Sequence, residues 1–208
     1  MRPARIIPCL LDIHNDIAVD GSTIADRIQK QGKEHLWGER SSASIDTIVI
    51  HYTSAVLVDK RRRFDRGLVL RLFCDYGVSS HYLIERSGKI LLLVPEEKKA
   101  WHCGGSIMPG KDKRTGVNDF SIGIELVATP DSGFTKKQYH RLAGLCRDIE
   151  KRREAKFTYV GHQHIADKRT VAAGLRKDIK QDPGRLFDWD LFAGMLKRGK
   201  RPLKKRPA

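Results

Sequence analysis

Four short stretches carry side chains that could do chemistry together, three of them β-branched or apolar runs and the fourth a Pro-Gly loop. DTIVIH at 46–51 ends on His51, FTYVGH at 157–162 ends on His162, SIGIEL at 121–126 encloses Glu125, and KQDPG at 180–184 brings Lys180 and Asp182. On strands, alternate residues share a face. His51 therefore lies with Val49 and Thr47, and Glu125 with Gly123 and Val127, where Gly123 leaves space beside the carboxylate. A glutamate is almost never fully buried without a partner, so Glu125 reads either as an edge-strand group reaching solvent or as part of a site. Two histidines from separate strands plus one carboxylate suit a catalytic zinc with an open fourth position. Taken singly, each histidine also reads as a hydrogen-bonded core or surface residue, and separation along the chain does not choose between the readings.

The elements that must position these residues alternate between strand and helix. The run at 46–51 is rich in β-branched residues and reads as a strand. From 64 to 76, Val69, Leu72, Phe73 and Tyr76 recur at helical spacing, and Gly77 stands where a helix ends. HYLIER and KILLLV flank Ser87-Gly88 and predict a hairpin. A loop around Trp101 to Gly105 precedes SIGIELVA, a further strand. Thr135 is a plausible N-cap for a helix running to Arg153, with Leu142, Leu145, Cys146 and Ile149 as its core stripe. Residues 157–160 are another strand, and a last helix starts near Asp188 and Trp189. The predicted fold is α/β: a single domain over 45–196 with a central mixed sheet flanked by helices. Residues 1–44 read as an irregular extension with at most one short helix. The basic tail 197–208, with Pro202 and Pro207, is expected to be disordered.

Composition narrows the partners. A chain of 208 residues with 40% apolar content is large enough for one real core. No apolar run approaches the ~20 residues of a membrane span, and Asp12 and His14 interrupt the N-terminal apolar patch too early for a secretory signal. The formal charge of +15 is concentrated in runs such as Lys60 to Arg63. Such charge fits an anionic polymer or nucleic acid, yet no base-reading motif accompanies it. The four cysteines are scattered without a C-x-x-C pair, which argues for reduced thiols and a cytoplasmic setting.

The segments TIVIHYT, SSHYLIERSGKI, AWHCGGS, NDFSIGIEL, VGHQHIA and KQDPGRLFDW, in that order, resemble the zinc-dependent N-acetylmuramoyl-L-alanine amidases of type 2. That family takes in cytosolic anhydro-muropeptide amidases and phage lysins, and peptidoglycan recognition proteins share its fold. The resemblance covers about residues 45–195. It implies one zinc ion held by His51, His162 and Asp182, a catalytic carboxylate at Glu125, a catalytic lysine at Lys180, and a substrate-binding groove residue at His102. The implied reaction is hydrolysis of the amide between N-acetylmuramic acid and L-alanine, in peptidoglycan or its muropeptide fragments. Glu125 would accept a proton from water and pass it to the amine, and Lys180 would stabilise the oxyanion.

The nineteen residues from 163 to 181 exceed the family's usual stretch; a surface insertion costs little, but it offers Asp178, His164 and Asp167 as rivals to Asp182. Trp101 reads as core packing, His81 as structural, and Cys103 lacks the signature of a nucleophile. Two other classes stay in view. One is a non-catalytic peptidoglycan-binding module of the same fold, and the other a nucleic-acid binder suggested by charge alone. A phage-type lysin released to the cell wall is the alternative to the cytoplasmic setting.

Overall fold

The computed structural model describes residues 5–42 and 44–198. Of the tail expected over 197–208, Lys197 and Arg198 end a helix and the remainder lies outside the described residues. The strands of the main sheet are β1 (Ile6–Pro8), β3 (Thr47–Thr53), β4 (Tyr82–Ile84), β5 (Ile90–Leu92), β7 (Ser121–Val127) and β8 (Thr158–Gly161); β2 (Trp37–Gly38) and β6 (Lys99–Ala100) form a separate antiparallel pair. The six-stranded order is β1-β5-β4-β7-β3-β8. The β4–β5 hairpin is antiparallel and the other pairings are parallel, so the predicted mixed α/β sheet is what forms.

β3 and β7 lie inside the sheet, and this explains their composition. Interior parallel strands are covered on both faces and must be apolar on both. Five consecutive residues of β3 are buried, His51 among them. One face of the pair, Ile48, Ile50, Ile122, Ile124 and Leu126, packs against helix α3 (Lys136–Arg152) and helix α6 (Trp189–Arg198). The other face carries Val49 into a smaller cluster with Cys103, Met108, Val117, Phe120, Val160 and Ile165. α3 starts where expected: the Thr135 side chain accepts from the Gln138 amide while Gln138 accepts from the Thr135 amide, a reciprocal cap. Leu142, Leu145, Cys146 and Ile149 are all buried.

The residues before 45 are more ordered than their sequence suggested. β1 pairs in parallel with β5 at the sheet edge, and helix α1 (Ile24–Gln29), capped by Thr23, buries Ile24 and Ile28 against helix α2 (Arg66–Tyr76). α2 ends at Gly77, which adopts φ 64°, a conformation that favours glycine. The expected irregular extension thus supplies an edge strand and part of the core.

Candidate functional site

Sheet register sets the first half of the site. His51 and Glu125 are direct partners in the parallel β3–β7 ladder, so their side chains leave the same face side by side. β7 is flanked by β4 and β3, which removes the edge-strand reading of Glu125. The space beside Gly123 is not open either: a Cβ there would come within 2.6 Å of the His102 ring. Glycine is required because that ring lies against the strand.

Loop closure sets the second half. His162 opens a short helix, α4 (His162–Ile165), directly after β8. The loop carrying Asp182 lies across the strand end because Gly161 has no Cβ; one would meet Pro183 Cδ at 2.5 Å. The Gln163 amide donates to the Asp182 carbonyl (2.8 Å), and the Gly184 amide donates to the Gln163 side chain (3.0 Å). This holds Asp182 Oδ2 at 2.9 Å from His51 Nδ1 and 3.2 Å from His162 Nδ1. The three residues expected to converge do so, although 131 positions separate the first from the last.

The electrostatics are those of a buried and incompletely paired cluster. Burial pushes the Asp182 carboxyl up, but contacts with His162 and His51 outweigh it and hold the group well below the usual carboxylate range. Burial lowers His51, against the opposing pull of Asp182. Burial raises Glu125 well above the ordinary range; the nearby Asp182 charge adds to this and Lys180 opposes it. Glu125 Oε2 is buried without a hydrogen-bond partner, which is costly unless something else occupies the site. Lys180 is exposed, and its charge acts on both His51 and Glu125.

These donors fit a divalent cation. Two ring nitrogens and a carboxylate oxygen lie within 4.8 Å of one another, a set matching zinc chemistry, with the unpartnered Glu125 oxygen on the same face. A second group within the same limit joins His51, His102 and Cys103 on the far side of the His51 ring. The carboxylate-containing group is the better match, because the unpartnered Glu125 oxygen lies on its side of the sheet beside His51.

The other expectations fare differently. His102, expected to contact substrate, is partly buried, with Nδ1 3.1 Å from His51 Nε2 and Nε2 3.3 Å from Ser121 Oγ. Trp101, read as core, is 39% exposed, lies beneath Lys99 Nζ, and lines a depression of about 550 Å³ with Trp37 and His35. The rivals of Asp182 point elsewhere. His164 accepts from the Gly161 amide (3.0 Å), Asp167 caps helix α5 (Lys168–Ala172) and pairs with Arg169, and Asp178 belongs to neither ligand group. His81 is structural as expected: it accepts from the Gly123 amide, and its imidazole is driven down to about 3, chiefly by burial.

The sequence reading missed what backs the histidines. His162 Nε2 lies 3.2 Å from the Cys103 carbonyl, and Arg176 donates to the carbonyls of Cys103 and Gly105. The 163–181 stretch therefore braces the loop behind the site. Ser121 could have been found, since strand alternation puts it on the face of Gly123 and Glu125.

Residues 41–185 match the family described as N-acetylmuramoyl-L-alanine amidase. The chain is 39% identical over 119 residues to the 1,6-anhydro-N-acetylmuramyl-L-alanine amidase AmpD of Salmonella typhimurium LT2, a match spanning 57% of each chain. It thus spans little more than half the length of such curated relatives. The crystal structure of a selenomethionine AmpD derivative superposes with a TM-score of 0.59 at 25% identity, covering 94% of this chain and 96% of the other. AmiD of Escherichia coli, solved with anhydro-N-acetylmuramic acid-L-Ala-D-gamma-Glu-L-Lys, gives 0.55 at 34% identity, covering 76% and 60%. With the family match covering most of the chain and the same fold recurring in its solved members, this protein belongs to the type 2 N-acetylmuramoyl-L-alanine amidase family.

Proposed function

We propose that this chain hydrolyses the amide between the lactyl group of N-acetylmuramic acid and L-alanine, using one zinc ion held by His51, His162 and Asp182. The observation that carries the reading is the approach of both Nδ1 atoms to Asp182 Oδ2 beside the buried, unpartnered Oε2 of Glu125. A zinc ion held there would acidify water and polarise an amide carbonyl.

The protein's own groups do the rest. Glu125, fixed on a central strand, takes the proton from the attacking water and delivers it to the departing amine. An amide has a poor leaving group, so this delivery matters as much as the attack. Lys180, two residues before Asp182 and acting electrostatically on His51 and Glu125, places positive charge where the oxyanion develops. The chain keeps His51, His162, Asp182, Glu125 and Lys180 together, which favours catalysis over the non-catalytic alternative.

The relatives' names and the AmiD ligand favour an anhydro-muropeptide fragment as substrate. The four cysteines are free thiols, in keeping with the reducing, cytosol-like compartment we propose. Among the described residues no helix is long and apolar enough to cross a membrane. Mass spectrometry of products from anhydro-muropeptide and from intact sacculi, with and without chelator, tests the reading. Zinc-restorable release of free stem peptide is expected, faster from the fragment. Cleavage within the peptide or the glycan would refute the bond assignment.

A further inference from the structure

The hydrogen bonds behind His51 have a direction set by one atom. Ser121 Oγ lies 2.6 Å from the Val117 carbonyl oxygen. A carbonyl can only accept, so the single hydroxyl proton of Ser121 points there. Toward His102 Nε2, 3.3 Å away, Ser121 Oγ can then act only as acceptor, and Nε2 must carry the proton. In a neutral imidazole the other nitrogen is bare, so His102 Nδ1 offers its lone pair to His51 Nε2 at 3.1 Å. His51 completes the contact by holding its proton on Nε2. Its Nδ1 is then bare and faces the point shared by His162 Nδ1 and Asp182 Oδ2.

We propose that His102 is a positioning residue for the metal site, the acceptor that fixes the ligand tautomer and ring orientation of His51, with the direction of its hydrogen bond set by Ser121 and the Val117 carbonyl. The inference rests on the metal reading above and deepens it. The rest of the loop is built for the same purpose. The Asn118 side chain accepts from the backbone amides of His102 (3.3 Å) and Cys103 (2.9 Å), which sets both residues. Cys103 then offers its carbonyl to His162 Nε2, so consecutive residues anchor the outer nitrogens of both histidines. Such partners orient metal-binding imidazoles and raise their basicity. Gly123 makes the room, because any larger residue would displace the His102 ring. The Cys103 thiol, with Sγ 2.9 Å from His102 Nδ1, is a weaker donor competing for the same lone pair. Cys103→Ala should leave zinc affinity equal to or above that of the wild type.

The test is zinc affinity of the full chain, measured by competition with a chromophoric chelator. His102→Phe keeps a ring but removes the acceptor, and should weaken zinc binding about 10- to 100-fold. His102→Asn, whose amide oxygen can stand near the Nδ1 position, should recover most of that loss. Ser121→Ala should give a smaller loss. Wild-type affinity in His102→Phe, or equal weakness in the Phe and Asn variants, overturns the proposal. Nitrogen-15 NMR of the zinc-loaded wild-type protein gives an independent check that needs no variant to fold: His102 should carry its proton on Nε2, and a proton on Nδ1 overturns the proposal. Because the readout is affinity, the expected ordering in a protein that cleaves no muropeptide would uphold this inference and defeat the functional reading. Equal affinities in a protein that does cleave would do the reverse.

Discussion

Among the described residues, the buried polar clusters around Glu96 and around Asp182 differ in how completely their groups are paired. Around Glu96, which is 7% exposed, the carboxylate accepts from Tyr82 (2.6 Å), from both terminal nitrogens of Arg152 (3.2 and 3.0 Å) and from Arg153 (2.9 Å). Nearby, the half-buried Arg40 guanidinium donates to the carbonyls of Glu96, Asn118, Asp119 and Ser121, and burial lowers it to about 10. Each charged group named there is met by hydrogen-bond partners. Around Asp182, in contrast, three electron-pair donors face one point and a fourth group, Glu125 Oε2, has no partner. A closed network stabilises and specifies the fold. An open one tolerates its desolvation penalty because a ligand completes it, and that contrast separates the structural cluster from the functional one.

Substitutions should therefore split cleanly between the clusters. The largest effect belongs to His51→Ala, which should abolish stoichiometric zinc in elemental analysis and reduce muropeptide turnover to background. Glu125→Gln should keep its zinc yet lose about 10²- to 10⁴-fold in turnover. Glu96→Ala strips a buried network of its anion and should cost about 3–5 kcal/mol in denaturant unfolding, while the turnover of the folded fraction stays near wild type. Lys180→Met should lower kcat about 10²-fold with zinc retained; an unchanged kcat would remove the lysine from the oxyanion role.

The smallest effect sharpens the contrast through pH. Glu125 is raised in the folded, metal-free chain, so the folded state binds this proton more tightly than the unfolded state. The stability this supplies is complete below the ordinary carboxylate range and is lost as pH rises through the elevated value. Glu125→Gln should remove that loss, leaving the metal-free variant about 1–3 kcal/mol more stable than wild type at neutral pH. The difference between the two unfolding curves isolates Glu125 from His51, whose lowered value acts in the opposite direction. A variant with wild-type stability across the whole range would mean that Glu125 is not the strained group of the site.

Legibility in the sequence followed the length and regularity of each element. β3, β7 and α3 are seven residues or longer and carry a β-branched run, an alternation or a reciprocal cap, so the strand faces of His51 and Glu125 were each readable, whereas the pairing that sets them side by side came only from the sheet register. β1 is three residues long and α1 six, too short for any period to show, and their place in the core comes from tertiary packing. Asp182 was identified through the resemblance of its KQDPG loop, while the reason it reaches the histidines, the missing Cβ of Gly161, is a contact between distant segments that no local pattern records. His102 was assigned to the groove through the resemblance of its AWHCGG segment. The position of its ring depends on Gly123 and Ser121, nineteen or more residues further on.

The central claim is that His51, His162 and Asp182 share one zinc ion. Anomalous diffraction at the zinc edge from crystals of the zinc-loaded chain tests it most directly. The expected result is one strong peak about 2.0–2.2 Å from a ring nitrogen of His51, a ring nitrogen of His162 and a carboxylate oxygen of Asp182. A peak seated instead between His102 and the Cys103 sulfur, or none within reach of Asp182, would contradict it.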